Sequence, residues 1–356
     1  MDIKNKIKSI FLPEKNDYLD DEEFEYDIEN NEEDLKEDNK VHLNDLSRVK
    51  YDYRELKDIE NQTEEMCLLA VKQDGTIIEF VKDKTYKVCM EAVKQTYKSL
   101  KYITNQNEDI CIEAVKQNDF ALYYVNEQTE KICMEAVKRS YMALQYVNKQ
   151  TEEICLEAVR IDGRALQYVK EQTEEICLES VRQNGKVLQY VKKQTENICI
   201  EAVRGSFEEL EIKEILSYVK IPTERIFVEA VKQNGKILKY VENQTELICL
   251  EAVRENYNAL AYVKEQTEKI CLEAVNQSYE ALKYVKEQTE EVCLKAVKQD
   301  YRMLKYVNNQ TEKICLEAVK QNYRALEFVD NQTEKVCLEA VKQNRKALQY
   351  VKQKQS

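Results

Sequence analysis

The chain has 356 residues, with only 5 glycines and 2 prolines, 34% charged residues and a formal net charge of −13. Residues 1–60 hold −10 of that charge, so the other 296 are near neutral and neither part has the net basic charge of a phosphate-backbone binder. No apolar run approaches the ~20 residues of a membrane span, and the opening MDIKNKIKSIFLP lacks the apolar core of a secretory signal.

In chain order, residues 1–39 form an acidic arm, densest in DYLDDEEFEYDIENNEEDLKEDNK, whose composition reads as disordered. Residues 40–61 read as a degenerate capping unit. DYRELKDIEN (52–61) aligns with DYRMLKYVNN (300–309), and Leu43, Leu46 and Val49 supply a preceding helix, with Asp45 where a cysteine would stand.

From 62 to 353 the sequence repeats, leaving 354–356 as a tail. Cysteines recur every 22 residues from Cys67 to Cys199 and again from Cys249 to Cys337, with Phe227 taking the place of one between the two series. This spacing defines thirteen repeats, the first at Gln62, the eighth at Pro222 and the last at Gln332. The seventh is six residues longer, an insertion near 207–216. A typical repeat is QTEKICLEAVKQNYRALEFVDN (310–331). Thr at position 2 suits a helix N-cap, followed by acidic residues that the helix dipole favours. Apolar residues at positions 5, 6, 9 and 10 give one helix face. Asn at 13 and Gly or Tyr at 14 break the pattern, with Gly75, Gly163, Gly185 and Gly235 expected as left-handed C-caps. A second, shorter helix has apolar residues at 16, 17 and 20 and an aromatic at 19. One such unit cannot bury enough surface alone, so it must stack on its neighbours. The expected fold is all-α, an α-solenoid of about thirteen 22-residue two-helix repeats with a degenerate N-terminal cap.

Little in this pattern suggests chemistry. Zinc sites want closely spaced Cys/His pairs, and here cysteines are never nearer than 22 residues. Packed helices 8–10 Å apart hold successive thiols beyond disulfide reach. With Phe227 substituting, the position reads as small apolar core. The single histidine, His42, leaves no Cys-His or Ser-His-Asp arrangement within the repeats. No catalytic, cofactor-binding or metal-ligating residue is expected, and no cofactor.

Glu at position 8 and Lys or Arg at position 11, as in Glu317 with Lys320 and Glu339 with Lys342, suit pairing within one helix on a solvated face. The aromatic of position 19, including Tyr240, Tyr262 and Tyr284, forms a ladder that either packs repeats or stacks RNA bases. Together with Arg302 and Arg324 it is the candidate interaction surface. Phe207, Leu210, Ile212 and Ile215 of the insertion are a second candidate contact. YDYRELK (51–57) has the Tyr-x₄-Leu spacing, Tyr51 to Leu56, of peptides that dock on cap-binding translation factors, although Lys57 stands where those usually carry another apolar residue. The repeat alignment already gives Tyr53 and Leu56 a structural reading.

The consensus unit QTEEICLEAVRQNG, followed two residues later by LQYVK, resembles the repeats of domain of unknown function 4116, frequent in giant viruses of amoebae. Richness in Lys, Asn, Ile and Tyr fits an AT-rich genome of that kind. The resemblance implies fold and source and supplies no activity. The functional expectation is a non-enzymatic protein–protein interaction scaffold in the cytoplasm, that of a host cell or a viral factory, binding no membrane. The alternatives are a single-stranded RNA-binding repeat protein or a translation-factor adaptor. Self-association through the last repeat, which shows no cap, is also expected.

Overall fold

The computed structural model describes residues 37–352, with side chains from Asn44 onward. The acidic arm to residue 36, the tail from 353, and the side chains of His42 and Leu43 lie outside the described residues. Every element among the described residues is helical. They divide into two bodies, one within residues 1–126 and the other within 127–356. The first holds an α-helix, Glu37–Tyr51, a 3₁₀ helix, Tyr53–Asp58, and the first three repeats; the second holds the other ten. Both are α-solenoids.

Each repeat but the seventh is a ten-residue α-helix followed by a six-residue 3₁₀ helix, as in Glu312–Gln321 and Tyr323–Phe328. Thr311 caps the first helix, its Oγ1 accepting from the Ile314 N–H. The helix stops at Asn322, an extended residue whose own N–H still donates to Ala318 O. The same Asn322 opens the 3₁₀ helix, its Oδ1 accepting from the Arg324 N–H at 3.0 Å. One asparagine therefore ends one helix and caps the next, which is why Asn, Asp, Ser or Thr stands at position 13.

The core follows the apolar positions. Ile314, Cys315, Ala318, Val319, Ala325, Leu326 and Val329 are all buried, and their equivalents recur through both bodies. At about 2 kcal/mol for each fully buried large aliphatic side chain, this burial is the main favourable term in each repeat. Position 9 is alanine in every repeat but the sixth, where Ser180 is fully buried with no hydrogen-bond partner for its hydroxyl.

The glycines at position 14 are not left-handed caps. They start 3₁₀ helices, and what they provide is a close approach to the next repeat. A Cβ on Gly185 would lie 2.1 Å from Ala202 O, and one on Gly75 would lie 2.4 Å from Ala92 O.

Candidate functional site

The polar residues of the repeat join repeat to repeat. Gln266 at position 1 shows the pattern. Its Nε2 donates to Leu260 O in the preceding 3₁₀ helix and to Tyr284 O at the end of its own, both at 3.0 Å. Its Oε1 accepts the Lys286 N–H at 2.8 Å. One amide thus satisfies carbonyls that two short helices leave open. The Cys271 thiol lies 3.8 Å from the same Oε1 and donates a weak S–H bond to it. Gln62, Gln106, Gln150, Gln172, Gln194, Gln244, Gln310 and Gln332 repeat this clamp.

The thiols belong to this clamp. All twelve are free, and all but the half-buried Cys337 are buried. Burial pushes Cys111, Cys133, Cys249, Cys271 and Cys293 up to about 11, away from the thiolate a nucleophile or metal ligand needs. No group of His, Cys, Asp or Glu among the described residues could hold a metal ion.

Further ladders absorb most of the remaining consensus. Thr311 Oγ1 donates to Glu290 of the preceding repeat at 2.8 Å, and Lys313 pairs with that same Glu290 at 3.0 Å. Lys286 Nζ donates to Val263 O at 2.9 Å. Gln299 Nε2 donates to Val275 O at 2.7 Å. The charges expected to pair only within one helix also pair across repeats. Arg254 bonds Glu251 at 2.7 Å on its own helix and Glu273 of the next at 3.0 Å.

What these ladders leave exposed is the outer face of the 3₁₀ helices. Positions 15 and 18 lie on it, because residues three apart eclipse in this helix type. In the six 3₁₀ helices of repeats 8–13 there are eight Lys or Arg, two Glu and ten aromatics. This ridge is cationic although the chain is acidic. Averaging charge over whole repeats hides it, since acidic residues crowd the first turn of the α-helices instead.

Lysines lie over the rings. Lys283 and Lys305 Nζ sit 5.2 and 4.8 Å from the Tyr306 centroid, and Lys213 and Lys239 sit 4.7 and 4.9 Å from that of Tyr240. Aromatics also meet across repeats, Tyr301 with Phe328 at 6.5 Å and Tyr323 with Tyr350 at 6.4 Å. Tyr262 and Tyr284 are 37% and 38% exposed, whereas Tyr240 is half-buried with its hydroxyl donating to Glu209 at 2.8 Å. Arg302 is chelated by Asp300, and Arg324 is exposed.

The insertion is an α-helix, Glu209–Ser217, standing where other repeats have a 3₁₀ helix. Ile212 and Ile215 are fully buried, so these two are core and not contact residues. Phe207 and Leu210 are 70% and 72% exposed. The helix reaches both ways along the ridge. Glu209 pairs with Lys239 at 2.5 Å as well as with Tyr240, and Glu214 pairs with Lys186 at 2.8 Å and accepts from Tyr218 at 3.0 Å. Beside it, repeat 8 has lost the clamp. Pro222 replaces the glutamine and Phe227 the cysteine, and the Thr223 side chain accepts no capping bond. A groove of about 470 Å³ opens there, lined by Leu216, Val219, Pro222, Phe227, Tyr240 and Glu242 among others.

At the other end, Leu56 is fully buried and its carbonyl is clamped by Gln62. It therefore cannot serve as the exposed leucine of a docking peptide.

The family model described as "Domain of unknown function (DUF4116)" matches residues 63–106, 86–128, 129–172, 267–311, 289–333 and 311–354. Each match spans about two repeats, and together they cover more than half of the chain. The protein belongs to the DUF4116 family. The part of this DUF4116 array left unmatched, 173–266, contains the insertion, Pro222 and Phe227. DUF4116 is not a known enzyme family. No curated protein matched the chain. No described helix of the array is long and apolar enough to cross a membrane.

Proposed function

We propose that this DUF4116 array is a non-enzymatic scaffold that holds a protein partner on the ridge of its second body. The observation that carries the reading is the division of labour among residue types. Glutamines, threonines, cysteines and helix charges are occupied between repeats, while Lys, Arg and Tyr at positions 14, 15, 18 and 19 face outward. A repeated, rigid, cationic and aromatic surface matches a partner segment bearing carboxylates and apolar side chains.

RNA stacking is the weaker reading. The cations favour it, but Lys283, Lys305, Lys213 and Lys239 already occupy the ring faces that bases would need. A cytoplasmic site of action and an origin in a giant virus of amoebae belong to the same proposal, supported by the resemblance and composition described above. So does self-association through the last repeat.

The test is affinity purification of the tagged protein from cells that produce it, with nuclease, alongside the variant K283Q/K305Q/R324Q/K346Q. The proposal expects a discrete protein partner that survives nuclease and is lost from the variant. Equal recovery by the variant, or recovery abolished by nuclease, would overturn it.

A further inference from the structure

The clamp that joins the repeats on either side is missing at repeat 8. At repeat 7 the Gln194 amide donates to Leu188 O and Tyr218 O at 3.2 and 2.9 Å and accepts the Lys220 N–H at 2.9 Å. At repeat 9 Gln244 donates to Leu238 O and Tyr262 O, both at 3.0 Å, and accepts the Lys264 N–H at 2.9 Å. The equivalent groups of repeat 8 are Leu216 O, Tyr240 O and the Glu242 N–H, and Pro222 brings no amide to them. Among the described residues, Tyr240 O and the Glu242 N–H have no hydrogen-bond partner.

Leu216, Tyr240 and Glu242 all line the groove of about 470 Å³. Grooves of about 410, 280 and 270 Å³ on the same edge, at repeats 5, 7 and 10, are each lined by the repeat's own glutamine, Gln150, Gln194 and Gln266. The groove of repeat 8 is therefore a clamp site without its amide. Its apolar lining is open as well: Leu216, Val219 and Phe227 are half-buried, whereas Leu188, Val191 and Cys199 at the same positions are buried. Lys213 and Glu242 add one charge of each sign to the lining, and neither forms an ion pair among the described residues.

We propose that this groove binds a segment of another protein that presents a glutamine side chain, whose amide completes the clamp from outside. A carboxylate can only accept and an ammonium or guanidinium can only donate. The carboxamide does both, offering two N–H groups to Leu216 O and Tyr240 O and an oxygen to the Glu242 N–H. Beside the glutamine, the segment carries a carboxylate for Lys213, a basic side chain for Glu242, and an aliphatic residue that covers Leu216, Val219 and Phe227. The stretch YVKEQTEKI (262–270), with which the array builds its own clamp at Gln266, has every one of these features. This contact is separate from the one proposed on the ridge.

The experiment titrates a fluorescent peptide YVKEQTEKI against the full chain and follows its anisotropy. The full chain should bind it, and the same peptide with Q266L should bind about tenfold more weakly. P222Q/F227C, which returns the amide and thiol to the array itself, should weaken binding of the first peptide by a similar factor. K213E should weaken it too. The pair of peptides needs no variant protein, so it decides the matter even if P222Q/F227C does not fold. No binding by the full chain, equal binding of the two peptides, or binding that ignores P222Q/F227C and K213E would overturn the inference. So would free glutamine displacing the peptide as well as unlabelled peptide does, which would give the groove to a small molecule. Self-association of the full chain that P222Q/F227C abolishes would overturn it in favour of a second copy. None of these outcomes decides the scaffold reading, which the nuclease-treated purification tests separately.

Discussion

At the scale of single residues, the row of cysteines owes its regularity to the glutamine five positions before each of them. The thiol is small enough to leave room for the amide and gives its weak proton to Oε1. The exceptions are informative. Where Pro222 removes the amide, Phe227 replaces the thiol; where Lys84 stands instead, Cys89 turns to the Lys84 carbonyl at 3.4 Å. Burial favours the neutral thiol, so the folded state holds protons that the unfolded chain releases at lower pH. That contribution is fully present below the unfolded pKa, roughly 8.5. It is lost as pH rises through the value of about 11 to which burial pushes Cys271, Cys293 and Cys315 in the folded state. The urea midpoint should therefore fall between pH 9 and 11. Replacing those three cysteines with alanine should lower stability at pH 7 yet flatten that fall. An unchanged slope would show that the thiols do not titrate with unfolding.

At the scale of elements, much of the repeat was legible. Threonine caps, buried positions 5, 6, 9, 10, 16, 17 and 20, and the 22-residue step are local signals that a sequence carries openly. The clamp was not legible, because Gln266 reads as a surface residue until two helix ends from different repeats meet at its amide. Gly185 was misread for a related reason: its sequence position fits a helix end, but its use is the 2.1 Å space beside Ala202 O. In the insertion, Ile212 and Ile215 are apolar like Phe207 and Leu210, and only the helix's docking separates the buried pair from the exposed one. The lost clamp beside it gives a prediction. P222Q with F227C should restore the amide and thiol together. The two changes should couple favourably by about 1 kcal/mol in a double-mutant cycle of urea unfolding, since each alone leaves a mismatch. Additive effects would show that the groove does not accept the clamp geometry.

At the scale of the molecule, repetition builds two things from one unit. Inward and between repeats it sums small packing and hydrogen-bond terms into each body, as in other one-dimensional arrays. Outward it lines up whatever the variable positions carry, and in repeats 8–13 they carry cations and aromatics. The measurement that tests this division most directly is the thermal midpoint of two variants beside the parent. Gln266→Ala leaves Leu260 O, Tyr284 O and the Lys286 N–H without their shared partner, a loss of about 2 kcal/mol that should lower the midpoint by several degrees. K283Q/K305Q/R324Q/K346Q changes four side chains on the exposed ridge and should leave the midpoint within about 1–2 °C of the parent. A ridge variant that melts as early as the clamp variant would contradict the account, because the outward residues would then be holding the array together.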